Sequence, residues 1–370
     1  MRVNHILGII FSNAYDEAIS ELTDVRTMGS VPFAGRYRLI DFILSGMVNC
    51  GIDQVGVITK SNFQSLMDHL GTGKPWDLSR KTGGMYLLPP LNNVQAGTYK
   101  NRVDALYNVL DFIHKSVEEY VLVSDCNMVC NPDYAQLMQQ HIDTGADITI
   151  AYAHGNAPAL KNLATFDLDE NGRITSVAVG DKPEDKNYSL NMMIVNKPLF
   201  EELIRDAAVH NRENVERDII QANVNKLKIY GYKVEGFCMP IDSVESYYKA
   251  NMALLDKDNC RSLFNPDRPV YTKVRDDMPA LYGLGSNVKN SLIADGCVIE
   301  GEVENSVLFR GVKVAKGAKV KDSIIMQGAS VGEDANLNCV ILDKNVIVQP
   351  GKSLTGDKNY PVYVAKNKTI

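Results

Sequence analysis

The chain has 370 residues, of which 23% are charged and 45% hydrophobic, and a formal net charge of -6. That length exceeds one ordinary core and implies two domains, with the composition of a soluble globular protein. The acidic balance and the lack of any long basic run argue against nucleic acid, whose binding rests on phosphate neutralisation, and no stretch is long and apolar enough to span a membrane.

In chain order, residues 6–11 form a short apolar run without the long h-region and cleavage site of a signal peptide, and predict a buried first strand. Residues 54–58, 120–123 and the stretch from 147 onward predict further strands. Residues 41–50 and 103–117 space their apolar side chains as helices do. This alternation predicts a Rossmann-like α/β domain over 1–255, with helices on both faces of a mostly parallel sheet. Residues 256–286, which hold Asn265, Pro266 and Pro269 among many charges, read as a linker.

From 287 to 370 the pattern changes. Leu308, Val314, Val320 and Met326 stand six apart, as do Val312, Ala318 and Ile324. That beat predicts a left-handed parallel β-helix of hexapeptide repeats, whereas a plain antiparallel sheet would show a period of two alone. The beat slips near Met326, which predicts a turn or loop interrupting the stack there. The seven cysteines are scattered, and only Cys126 and Cys130 lie close together. They read as reduced thiols of a cytoplasmic protein, not as a disulfide frame or zinc site.

The run VPFAGRYRLIDF at 31–42 continues through Leu44, Ser45, Val48, Asn49, Gly51 and Ile52. It resembles the VPFGGKYRLIDF segment of glucose-1-phosphate adenylyltransferases. Collinear matches follow at 88–90, 181–183, 218–220 and 246–252, and the β-helix completes the series, so the resemblance spans nearly the whole chain. It implies a fold related to enzymes that make ADP-glucose and pyrophosphate from ATP and glucose 1-phosphate. Catalysis of that type is mostly positioning and charge neutralisation, supplied by Mg²⁺, cationic side chains and backbone N–H groups.

The parts that would do this are altered in turn. Where the family has a GGxGxRL loop around the triphosphate, residues 13–19 read NAYDEAI, without the glycines or the arginine and with Asp16 and Glu17 added. A carboxylate about 4 Å from a phosphate oxygen repels it by about 4 kcal/mol at an effective dielectric near 20, unless the loop turns it away. Met28 stands where the family has the lysine of RAKP. In the YxGTADAV segment Tyr99, Asp104 and Ala105 are kept, while Asn101 and Arg102 replace Gly-Thr, where glycine allows close backbone approach. Leu91 and Asn92 stand for the glutamines facing the base.

Asp125 and Asp218 match the family's two metal carboxylates, so the resemblance implies Mg²⁺ held between them, as remnants of a site, with each aspartate alone also readable as a cap or turn residue. Lys182 and Asp181 match the FxEKP segment of the sugar-phosphate pocket, and Leu190 to Ile194 bring bulk where the family has small side chains. Substitution in every substrate-facing motif beside intact structural motifs is similar to the non-catalytic, regulatory-type subunits of the family. It implies a catalytic glucose-1-phosphate adenylyltransferase subunit as partner, in a mixed tetramer, with phosphorylated metabolites as effectors. Arg26, Arg38 and Lys344 match basic positions where the family binds such anions, between the domains, and each is alternatively a salt-bridge residue. A divergent but active adenylyltransferase is the competing reading, and a free sugar-nucleotide sensor another. A hexapeptide acyltransferase would need a histidine on the β-helix, and no histidine lies beyond His210.

Overall fold

The computed structural model describes residues 5–90, 99–180 and 184–370. The first domain is built on a nine-stranded sheet: β1 (Ile6–Phe11), β2 (Gln54–Ile58), β3 (Gly84–Leu88), β4 (Tyr120–Asp125), β5 (Ile148–Gly155), β6 (Ala164–Leu168), β7 (Ile174–Val179), β8 (Lys186–Asn196) and β9 (Ile229–Lys233). The spatial order is β7-β6-β8-β4-β1-β2-β3, with β5 paired to β8 and β9 beyond it. All six residues of β1 are buried, as an apolar run covered on both faces must be.

The centre of the sheet is parallel, β4-β1-β2-β3, but β8 runs antiparallel to β4, β5 and β6. The sheet is therefore mixed, where the sequence predicts a mostly parallel one. Apolar run length tells that a strand is buried, not which way it points.

Residues 256–286 are not a bare linker. Helix α3 (Val244–Ala253) is followed by α4 (Lys257–Leu263), capped by the Asp256 carboxylate, and Leu281–Tyr282 already pairs with Val298–Ile299 as the first strand of the second domain. The extended connection, 265–280, is fastened to helix α1 (Leu39–Asn49): Asn49 donates to the Pro269 carbonyl, and the Tyr271 N–H donates to Ser45 Oγ.

The second domain is a parallel β-helix of three five-stranded sheets. Val307 pairs with Ile324 and Ile324 with Ile341, so one coil takes seventeen residues. The inward side chains Leu308, Val314, Val320, Ile325, Val331, Leu337, Leu342 and Val348 advance in steps of six, six and five. Asn305, Asp322 and Cys339 adopt positive φ (46°, 45° and 54°) on the five-residue sides, where the chain turns most tightly. This corrects the expected interruption near Met326. The stack is continuous there, and the beat slips because the seventeen-residue coils on either side of Met326 each have one five-residue side.

Ile324 and Met326 consequently face outward, onto the first domain. There they join Val307, Phe309 and Ile341 in one apolar core with Phe33, Phe42 and Tyr247. Two tyrosines of α3 bind polar groups around this core. The Tyr247 hydroxyl donates to the Pro32 carbonyl (2.6 Å) and the Tyr248 hydroxyl to the Asp322 carbonyl (2.6 Å). Among the described residues the cysteines form no disulfide, and no helix is long and apolar enough to cross a membrane.

Candidate functional site

The cleft lies at the C-terminal ends of β1 and β4, where loops of an open α/β sheet gather. The loop after β1 folds back on itself. Ser12 donates to the Ile58 carbonyl (2.8 Å), and Asn13 accepts the Lys60 N–H (3.0 Å) and donates to Asp16 (2.5 Å). The other Asp16 oxygen accepts the Met28 N–H (2.7 Å). Asp16 is thus turned inward, and burial raises its carboxyl above the ordinary range while Asn13 and the Met28 amide draw it back. Glu17 is exposed to solvent. Ile19 and Leu22, buried in the core shared with the β-helix, hold the loop in place.

Helix α2 (Arg102–Asn108) begins beside this loop. Asn101 caps it by accepting the Asp104 N–H (2.8 Å), and Asp104 in turn accepts the Lys100 N–H (3.0 Å). Arg102, the first helical residue, therefore has a fixed origin, and its guanidinium reaches the end of β4. Nη1 and Nη2 hold the two Asp125 oxygens at 3.0 and 3.1 Å, and Nη1 also holds Glu216 at 2.9 Å. The Asp125 and Glu216 side chains are 0% and 7% exposed. The Phe11 ring lies 4.8 Å from the guanidinium carbon and closes the other side. Tyr15 completes the group. Its hydroxyl accepts a bond from Asn191 (3.0 Å), and burial next to Asp125 pushes its ionisation far above the usual phenol value. Burial and the Glu216 charge drive the Asp125 carboxyl upward, and Arg102 opposes them.

The residues expected in this cleft are distributed differently. Asp125 is at its centre. Asp218 does not converge with it: Arg217 binds it at 2.8 Å and the N–H groups of Glu213 and Asn214 each at 3.0 Å, which together hold its carboxyl below the usual range. Glu216 is the second carboxylate, presented by a π-helical turn over Glu216–Gln221 that alters the ordinary helical phase. Tyr99 is buried against Val103 and Leu106, and burial followed by the Asp104 charge pushes its hydroxyl up to about 12. Asp104 serves the helix start. Lys182, Asp181, Leu91 and Asn92 lie outside the described residues.

A second site lies between the domains. A cavity of about 330 Å³ is lined from the first domain by Arg36 and Arg38, from the connection by Lys273 and Arg275, and from the β-helix by Arg310, Lys344 and Lys366, with Asp68 the single carboxylate on its wall. Arg38 is anchored by Ser65, whose carbonyl and hydroxyl accept from Nη1 at 2.6 and 2.9 Å, and burial lowers its guanidinium to about 10. Burial and the charges of Arg38 and Arg26 lower the Lys344 ammonium to about 7.

Arg26 departs from the expectation. Its Nη2 binds both oxygens of Asp343 (2.9 and 2.8 Å), with the two side chains 2% and 1% exposed, and Tyr363 also donates to that carboxylate (2.8 Å). Arg26 is a buried tie between the domains behind the cavity rather than part of its wall. Sequence reasoning missed Glu216, Arg36, Lys273, Arg275, Arg310 and Lys366. The one signal for the cluster was the closely spaced Lys273 and Arg275 within the 265–280 connection.

Residues 8–257 match the nucleotidyl transferase family, and residues 281–360 match the GlmU-like C-terminal hexapeptide family, so the fold and its cleft are those of a nucleotidyltransferase with a hexapeptide domain. The glycogen biosynthesis protein GlgD of Bacillus subtilis (strain 168) is 36% identical over 367 residues, covering 98% of this chain and 96% of its own length. GlgD of Geobacillus stearothermophilus is 40% identical over 320 residues (86% and 83%), and the glucose-1-phosphate adenylyltransferase of Fervidobacterium nodosum is 31% identical over 353 residues (94% and 85%). The chain belongs to the glucose-1-phosphate adenylyltransferase family, alongside the GlgD proteins.

Proposed function

We propose that this chain is a non-catalytic, regulatory subunit of a bacterial glucose-1-phosphate adenylyltransferase, acting in glycogen synthesis by assembling with the catalytic subunit in a mixed tetramer. The observation that carries this reading is the bridge of Arg102 between Asp125 and Glu216, which fills the cleft from within. Two carboxylates and one guanidinium leave a net negative charge where a triphosphate would need cations. Asp16 holds the Met28 amide in the adjoining loop, so that donor is not presented to a phosphate. Magnesium, implied by the resemblance through Asp125 and Asp218, does not fit this donor set: Asp218 turns toward Arg217, and a guanidinium lies between the carboxylates that do converge.

The basic cavity is the regulatory half of the proposal. Seven cationic side chains and, among the described residues, one carboxylate line it, and three of the cations, Arg38, Arg310 and Lys344, are held below their ordinary pKa values mainly by burial. A phosphorylated metabolite would relieve that crowding and bridge the two domains. Regulation is then a coupling free energy between this cavity and the active site of the catalytic partner. A homo-oligomeric ancestor supplies a like-to-like interface from which the mixed assembly can diverge.

The test is pyrophosphate release from ATP and glucose 1-phosphate, by the purified chain alone and mixed with a catalytic subunit. No turnover alone, with a changed rate or effector response in the mixture, supports the proposal. Ordinary turnover by the chain alone overturns it in favour of a divergent enzyme.

A further inference from the structure

The Arg102 bridge has the features of a metal site with the metal replaced. Two carboxylates distant in sequence converge on one cationic centre, and almost all of their surface is buried. Buried carboxylates of like charge repel each other and require a counter-charge between them. In this chain the counter-charge is covalently attached. It enters on the first residue of α2, lies against Phe11, and makes three bonds of 2.9 to 3.1 Å. The Arg102 Nε is buried with no hydrogen-bond partner among the described residues, so the guanidinium is placed for the carboxylates at the expense of that donor.

We propose that Arg102 is a built-in substitute for a divalent cation: it keeps the cleft folded without metal, and removing its charge uncovers a divalent-cation site formed by Asp125 and Glu216. The carboxylates supply hard oxygen donors of the kind Mg²⁺ and Mn²⁺ take, and water would complete the coordination. One positive charge fixed to the chain also differs from a free divalent ion in an important respect. It does not leave, and three of its five N–H groups are already taken by the two carboxylates.

This inference does not depend on the partner assignment, and it is tested by stability instead of turnover. R102M keeps an unbranched apolar stem but removes the guanidinium and its charge. Wild-type protein is expected to melt at the same temperature with and without millimolar Mn²⁺ at mildly alkaline pH. R102M is expected to melt lower without metal and to regain several degrees with Mn²⁺, through preferential binding to the native state. R102M/E216Q, lacking one ligand, is expected to gain much less. Equal stabilisation of wild type and R102M, or no response of R102M, overturns the proposal. If R102M is unfolded as purified, refolding it from urea decides the same point. Recovery of native fluorescence only with Mn²⁺ supports the substitution, and recovery in neither condition overturns it.

Discussion

Replacing Arg26 by alanine separates two roles that its sequence position leaves open, a ligand for an effector and a structural tie. The structure assigns it the second. Both Asp343 oxygens are bound by Arg26, and neither side chain is more than 2% exposed. R26A leaves a buried carboxylate supported, among the described residues, only by the Tyr363 hydroxyl and the Lys344 N–H. Removing one member of such a buried pair costs about 3–5 kcal/mol, because the remaining charge stays desolvated. D343A should cost a similar amount. The double variant R26A/D343A should cost less than the sum of the two, with a coupling energy of ~1–3 kcal/mol. An apolar pair, R26M/D343L, should recover most of the loss. Urea or thermal denaturation of the full chain measures these differences, and a parallel sulfate titration reports on the cavity. An R26A protein within about 0.5 kcal/mol of wild type that has lost sulfate affinity would refute the reasoning and make Arg26 an anion ligand.

Lys344 gives the cavity a pH dependence. Its ammonium is lowered from 10.5 to about 7 by burial, by Arg38 and Arg26, and to a lesser extent by Lys366, with Asp343 acting in the opposite direction. A bound anion favours the charged form, so binding takes up a proton and affinity falls by up to about tenfold per pH unit above that value. Sulfate, which does not titrate in this range, is the probe: K344M should bind it more weakly and with a flat profile, and an unchanged slope in K344M would remove Lys344 from the site. The same shift makes the anion-free fold more stable as pH rises from about 7 toward 10.5, since the unfolded chain binds the proton more tightly there. In the β-helix, L337A removes a fully buried side chain from the inward stack and should cost ~2–5 kcal/mol in denaturation experiments. A loss below about 1 kcal/mol would mean that neighbouring coils collapse into the gap.

The two-domain plan was legible because burial leaves periodic traces: continuous apolar runs for strands covered on both faces, and a six-residue beat for a β-helix. What the beat did not reveal was that the coils around Met326 close in seventeen residues, so that Met326, which the six-residue beat places with the inward set, faces the first domain. The place of the cleft was legible from the motifs of the resemblance, and the changes at Asn101 and Arg102 were visible as added bulk. The role of Arg102 was not, because it depends on side-chain reach across 23 residues to Asp125 and 114 to Glu216. Asp218 and Glu216 illustrate the same limit. Two carboxylates two positions apart compete for one role, and a local π turn decides which points inward. Arg26 and Arg38 look equivalent in sequence, yet one meets a buried aspartate and the other a cavity.

The apolar core that Phe33, Phe42 and Tyr247 share with Val307, Phe309, Ile324 and Ile341 has a mechanical consequence. A hinge needs a seam that opens at little cost, whereas parting these surfaces would expose large aromatic and aliphatic side chains to water and strand the Arg26–Asp343 pair. The two halves therefore move as one stiff body. An anion seated in the interdomain cavity would then act less like a key opening a door than like a wedge in a beam, pressing on Arg38 on one side and Lys344 on the other.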